Sequence, residues 1–302
     1  VINLSQQSMQ SANILIFGEV LADLFPEQTI IGGAPYNVAR HLQAFGLQPL
    51  LVTKVGMDAY GDAIEKEMQA NNMDCRGLQR DAHYPTGQVK VTFTAQGHQF
   101  EIMPNQAYDV MDARPVLNLM TMAPPEMLYI GTLALREMTT RRVAQALLEQ
   151  ITCLVFCDIN LRAPWFSAEV IALVLNHAHT LKINHEELAV IAQMLGIHGS
   201  PEAQAKALQK QYHLTNILVT CGEQGSWWLT SAHAVLSVEK VQLAKPFVDS
   251  VGAGDAYSAV VIMGLLQGWA PQMILQRASA FAAAICGVRG AVPTDKKSIR
   301  YF

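Results

Sequence analysis

No stretch of this chain stays apolar for the about 18 residues that a membrane-spanning helix needs. Runs of Lys or Arg are missing too, and with a formal net charge of −4 and an isoelectric point near 6.1 there is no electrostatic footprint for nucleic acid. Cysteine is scarce: five residues, an odd number without metal-ligand spacing, suit a reducing compartment better than a disulfide framework. Cys153 and Cys157, in the apolar run CLVFC, read as buried thiols of a strand. The opening VINLSQQSMQSAN has neither the charged nor the apolar region of a signal peptide. Two nucleotide-binding patterns are absent as well. No G-x-x-x-x-G-K-[ST] occurs, and no G-x-G-x-x-G follows the first apolar run. These absences predict a soluble, cytoplasmic protein without nucleic-acid or membrane partners.

What is present is a 302-residue chain, 51% hydrophobic, able to bury a large core as one α/β unit or two smaller domains. Short strand-like runs alternate with helix-like ones. NILIFG (13–18), PLLVTKVG (49–56), MLYIG (127–131), CLVFCDIN (153–160), TLKI (180–183) and NILVT (216–220) read as strands. PYNVARHLQAFG (35–46) reads as a helix with Pro35 in its first turn and Gly46 as its stop, and YGDAIEKEMQANNM as another. The alternation predicts a mostly parallel sheet with helices on both faces. One segment departs from it. TGQVKVTFTAQGHQFEIM (86–103) alternates with period two, Val89, Val91 and Phe93 on one face, AQGHQ as the turn, and Phe100 and Ile102 continuing the apolar face. It is expected to be a hairpin, either packed on the edge of the main sheet or forming a small lid over a site.

The densest chemical signal is FVDSVGAGDAYSAVVIMGLLQG (247–268). Gly252, Ala253 and Gly254 let the backbone curl so that its N–H groups converge at the positive end of the following helix, a place for phosphate oxygens. Asp255 directly after this turn has two readings. It is a helix cap favoured by the dipole, or it is a base that takes the proton of a hydroxyl attacking a phosphoryl group held over the turn.

DSVGAGDAYSAVVIMGLLQG resembles the C-terminal signature of the ribokinase-like, or PfkB, carbohydrate kinases, and GGAPYNVARHLQAFG (32–46) resembles their N-terminal signature. The resemblance runs from Asn13 to Pro293 and is strongest toward bacterial fructokinases. It implies a ribokinase-like three-layer sandwich with a mostly parallel central sheet, one kinase domain over 13–302, and a small β-sheet lid from about 22–31 and 84–106. It makes Asp255 the base and Gly252, Ala253 and Gly254 the anion hole. Asp23, Gly32, Gly33, Asn37 and Arg162 fall on substrate positions; the last comes from CDINLRAPWF, similar to a D-P-N-x-R stretch with Ile159 in place of proline. Asn184 and Glu187 match an N-x-x-E motif that serves ATP and magnesium, Glu187 being the magnesium position; they also fit a capping box. Thr220, Gly222, Gly225, Ser279 and Ala283 match the nucleotide side. Asp249, Val251 and Gly290 match a monovalent-cation position, potassium being the expected ion.

The implied reaction is transfer of the γ-phosphoryl group of ATP to a hydroxymethyl oxygen of a ketose, fructose first. Alternatives are 2-keto-3-deoxygluconate, ribose, adenosine or another acceptor, including a sugar phosphate met by Lys54, Arg136 or Arg162. A non-catalytic sugar- or nucleotide-binding regulator would predict damage to the catalytic set, which is intact. An NAD-dependent oxidoreductase would need glycines where the chain has GEVLAD. An apolar lid face wanting cover points to a homodimer through the lid.

Overall fold

The computed structural model describes residues 13–94, 97–122, 124–239, 241, 246–288 and 290–293. Part of the AQGHQ turn (95–96) and the end of the expected domain (294–302) lie outside them.

The first half of the chain supplies β1 (Asn13–Phe17), β2 (Leu21–Leu24), β3 (Thr29–Gly32), α1 (Ala34–Ala44), β4 (Gln48–Gly56), α2 (Ala59–Ala70), β5 (Leu78–Asp81), β6 (Gly87–Thr94), β7 (Gly97–Ile102), α3 (Ala113–Met122), β8 (Met127–Ile130) and α4 (Met138–Gln150). The second supplies β9 (Leu154–Asp158), α5 (Ala168–Leu175), β10 (Thr180–Asn184), α6 (His185–Met194), α7 (Pro201–Tyr212), β11 (Asn216–Thr220), β12 (Ser226–Leu229), β13 (Val235–Val238), α8 (Ala253–Leu266) and α9 (Pro271–Ile285). The helix starts follow from local chemistry. Asp58 accepts from Gly61 N ahead of α2, Ser167 from Val170 N ahead of α5, and Ser200 from Ala203 N ahead of α7, each satisfying an amide the helix itself leaves unpaired.

Nine strands form one sheet in the order β13-β12-β11-β10-β9-β8-β1-β4-β5. From β11 to β5 every neighbouring pair is parallel; β12 and β13 add an antiparallel edge. Because strand side chains alternate between faces, the sheet divides the core in two. Ile14 and Ile16 pack with Tyr36, Val260 and Phe281 under α1, α8 and α9. Leu15 and Phe17 pack with Leu147, Val174 and Ile191 under α4, α5 and α6. These are the three layers expected. Helix α8 is buried nearly all round, from Asp255 to Gly264, and so reads as one continuous apolar run.

Segment 86–103 does form a hairpin, but not on the edge of the main sheet, whose edge strands are β5 and β13. It builds a second sheet, β3-β2-β6-β7, in which β6 pairs parallel with β2 (Leu21 opposite Gly87) and antiparallel with β7. Leu21, Val89 and Leu133, with Ile102 and Trp165 against them, make a small core at its root. Val89 and Val91 are 5% and 2% exposed in the single chain. Phe100, opposite Val91 on the same face, is 50% exposed, so the single chain covers the root of the apolar face on which a dimer was expected but not Phe100.

Candidate active site

The parallel strands end on one side of the sheet, and the chemistry gathers there, as open α/β sheets dictate. Helix α8 starts at Gly252, whose φ of 77° is a left-handed conformation and whose absent side chain makes room for Ala291, 2.4 Å from where a Cβ would sit. No side chain caps the first amides of α8; Ala253 N donates to Ser250 O at 3.2 Å, which leaves the Gly252 and Gly254 N–H groups for an anion. Asp255 does not act as a helix cap. Its Oδ2 accepts from Asn37 Nδ2 at 2.8 Å, a buried bond between residues 218 apart in sequence. Burial pushes the Asp255 carboxyl up to about 6; Asn37 opposes the rise, Asp158 adds to it, and Lys182 and Arg162 oppose it. A carboxylate poised near neutrality, with one oxygen fixed and the other unbonded, is suited to taking a proton.

Asn37 is buried in α1, where sequence alone placed it either on the sugar or on an exposed first turn. Here its side-chain amide is engaged by Asp255. Asp23, on β2, lies over Gly32 on β3, whose Cβ would come within 2.6 Å of the Asp23 Oδ2. Burial raises the Asp23 carboxyl to about 6, with Arg162 pulling against it. Gly33 precedes α1 and passes the Glu19 backbone oxygen closely, 2.8 Å from its missing Cβ. Arg162 is exposed and forms no ion pair among the described residues, yet its charge is felt at Glu19, Asp23 and Asp255. The other two cations considered for a phosphate are already paired, though Arg136 Nη1 has no hydrogen-bond partner among the described residues. Lys54 holds Asp81 at 2.7 Å and Asp112 at 3.0 Å; Arg136 holds Asp109 through Nε and Nη2, both at 2.7 Å.

On the neighbouring strands, Asn184 and Glu187 make the full reciprocal capping box at the start of α6. Both Glu187 oxygens are bonded to backbone, Oε2 to Asn184 N at 2.9 Å and Oε1 to Leu161 N at 2.8 Å, so Glu187 ties β10 to the loop carrying Arg162. His185 is exposed, as its sequence context suggests. Thr220 ends β11, and Gly222 and Gly225 bound the short helical turn before β12. Ser279 faces inward, its hydroxyl 2.9 Å from Ser226 Oγ, which in turn accepts from Tyr257 at 3.2 Å; Ala283 is half-buried on the same helix. That contact joins α9 to β12. Asp249 accepts from Val251 N at 3.1 Å on the segment entering α8, and Gly290 leads into the Ala291 that packs on Gly252.

Three residues of the site escaped sequence reading. Lys182, inside β10, donates to Asp158 at 2.9 and 3.2 Å. Ser258 donates to Asp158 Oδ2 at 2.7 Å, one turn beyond the glycines. Glu19, just past β1, is buried with Oε2 unbonded, and burial lifts it to about 7 against the pull of Arg162. A charged residue in an otherwise apolar strand was the available signal for Lys182. A cleft of about 400 Å³ lined by Asn13, Gln48, Asp74 and Met120 opens instead at the start of β1 and β4, the opposite end of the sheet.

The chain is similar over 311 residues to a fructokinase of Klebsiella pneumoniae, at 27% identity, covering 94% of this chain and 97% of the relative. It superposes on the ATP-bound fructokinase of Xylella fastidiosa with a TM-score of 0.80, at 20% identity and coverage of 96% and 95%. A Vibrio cholerae fructokinase double mutant, solved with fructose, ADP and potassium ion, superposes with a TM-score of 0.75, at 22% identity and coverage of 93% and 94%. The model of the pfkB family of carbohydrate kinases matches residues 12–297, and the chain belongs to that family of phosphotransferases.

Proposed function

We propose that this carbohydrate kinase transfers the γ-phosphoryl group of ATP to a hydroxymethyl oxygen of a ketose, fructose before others, with Asp255 as the base. The observation that carries this reading is the Asn37–Asp255 bond. It fixes one carboxylate oxygen and leaves the other beside a turn whose two glycine amides carry no side-chain cap. The sugar oxygen attacks the γ-phosphorus, the bond from phosphorus to the bridging β-phosphate oxygen breaks, ADP departs, and the hydroxyl proton moves to Asp255 Oδ1. The amides of Gly252 and Gly254 receive the charge that builds on the transferring oxygens. Asp23 accepts from sugar hydroxyls, the absence of a side chain at Gly32 letting backbone and sugar come close; Arg162 faces the incoming polyanion. The small sheet acts as the lid that excludes water from the reaction.

Magnesium fits this site only through water and phosphate. Both Glu187 oxygens already hold backbone amides, and among the described residues no group of three or more His, Cys, Asp or Glu converges on a metal position. A cation that retains waters and leans on nucleotide phosphates is consistent with that arrangement, and when bound it neutralises phosphate charge. Asp249, with the backbone oxygens of Val251 and Gly290, is the proposed potassium position beside the turn; the potassium in the Vibrio structure supports it.

The test is ADP release with MgATP across fructose, tagatose, ribose, 2-keto-3-deoxygluconate, fructose 6-phosphate and adenosine, with Asp255→Asn beside the wild type. Fructose is expected to give the largest kcat/KM, and the variant to lose about 10²–10⁴-fold. A variant as active as the wild type overturns the role of Asp255. A different best acceptor overturns fructose and leaves the base standing.

A further inference from the structure

Lys182 is 6% exposed in the middle of β10. Burying an ammonium is costly unless it is paired, and Asp158, itself fully buried at the end of β9, takes two of its three N–H directions at 2.9 and 3.2 Å. What lies on the remaining side is the glycine turn. A Cβ on Gly254 would sit 3.1 Å from Lys182 Nζ, so the last residue of the turn faces the ammonium with only the space of a missing side chain between them. Ser258 closes the arrangement, donating to Asp158 Oδ2 at 2.7 Å and lying 3.0 Å from Gly254 O. A buried charge pair that only held two strands together would not need to touch the one turn built to receive phosphate oxygens.

We propose that Lys182 is a positioning residue for phosphoryl transfer: held by Asp158, it backs the Gly252–Gly254 turn with a fixed positive charge. That charge offsets the negative charge arriving in the turn and keeps Asp255 ionised beside it. The proposal rests on the kinase reading above. It also accounts for Gly254 having no side chain, since a methyl group there would press on the ammonium.

Asp255 is surrounded by Asn37 from α1, Glu19 after β1, Tyr129 from β8, Asp158 from β9, Arg162 from the loop after β9 and Lys182 from β10. Lys182 and Arg162 are the cations of this set, so removing Lys182 should move Asp255 upward. The competing account, a purely structural pair, makes a different forecast. Replacing both members of a buried ion pair by uncharged groups is often neutral, so a structural pair can be removed whole.

The experiment compares wild type, Lys182→Met, Asp158→Asn and the double variant as full-length chains. It measures thermal midpoint, kcat and KM with MgATP and the best acceptor, and the Asp255 carboxyl titration by ¹³C NMR in the sugar-free enzyme. Expected is a double variant that folds with a thermal midpoint close to wild type yet loses on the order of 10²-fold in kcat, with KM for ATP changed by less than about threefold. Asp158→Asn is expected to hold kcat within about tenfold, and the Asp255 midpoint should rise from that variant to the double, which isolates Lys182. A double variant with wild-type kcat overturns the proposal. So does an Asp255 midpoint that stays put between Asp158→Asn and the double. If no acceptor is phosphorylated, the kinase reading fails while the titration still decides whether Lys182 sets the charge of Asp255. If the single variants do not fold, kcat of the uncharged double against wild type decides it.

Discussion

Asp255 and Asp23 are both lifted to about 6, each chiefly by burial. The proposed reaction asks both to be ionised, Asp255 to receive a proton and Asp23 to accept from sugar hydroxyls. As pH falls through 6 both take up protons and activity is expected to be lost; as pH rises through 6 both ionise and activity is expected to appear. The acid limb of kcat/KM for the sugar, which reports the free enzyme, is expected to centre near pH 6 and to be steeper than a single proton allows. A limb centred near 4, as for exposed carboxylates, would mean that neither group governs turnover. The same shifts act on stability in the opposite sense. Between the ordinary carboxylate value and about 6 the folded chain holds protons the unfolded chain has released, so each group favours the fold at lower pH and that contribution fades as pH climbs through the window. Optimal chemistry and optimal stability are therefore pulled apart at the same side chains.

Among the elements, the contact that joins the small sheet's root to the body is the Arg136–Asp109 pair. Both side chains are almost wholly buried, and Arg136 also donates to Met103 O at 2.8 Å and stands over the rings of Tyr108 and Trp165 at 5.0 and 4.4 Å. Arg136→Met leaves Asp109 charged and buried, and its urea unfolding is expected to show a loss of about 3–5 kcal/mol, most of it recovered in Arg136→Met with Asp109→Asn. No recovery would mean that stacking on the two rings, not the charge pair, carries the stability. Neither partner announces itself in sequence, because the pair joins a loop before α3 to a turn before α4. What was legible follows the same logic. NILIF, MLYI and NILVT declared themselves as strands since both faces of a parallel sheet are apolar. The antiparallel edge strands β12 and β13 did not, each being only four residues long and β13 having no buried residue. The G-A-G-D turn was legible because backbone chemistry fixes its residue types. Asn37 as the partner of Asp255, and Lys182 beneath Gly254, required the folded arrangement, since 218 residues separate the first pair and 72 the second.

At the scale of the whole molecule, the two sheets differ in how they are held. The nine-stranded sheet has a large core on each face, whereas the four-stranded sheet rests on Leu21, Val89 and Leu133 with Ile102 and Trp165 against them. Free energies of local opening track buried apolar contact, so the small sheet should open far more readily than the strands beneath it. It also carries Asp23, which puts the residue proposed to grip the sugar on that element. In the proposed lid role, closure over the substrate amounts to stabilising an element expected to open on its own, and lids commonly order on binding. Amide hydrogen exchange provides the measurement. In the free enzyme β2, β6 and β7 are expected to exchange well before β1, β8 and β9, and saturating sugar should slow the small sheet while leaving the central strands unchanged. Protection confined to the G-A-G turn, with the small sheet exchanging as before, would show that Asp23 does not draw the sheet onto the sugar and that water is kept out by some other part of the fold.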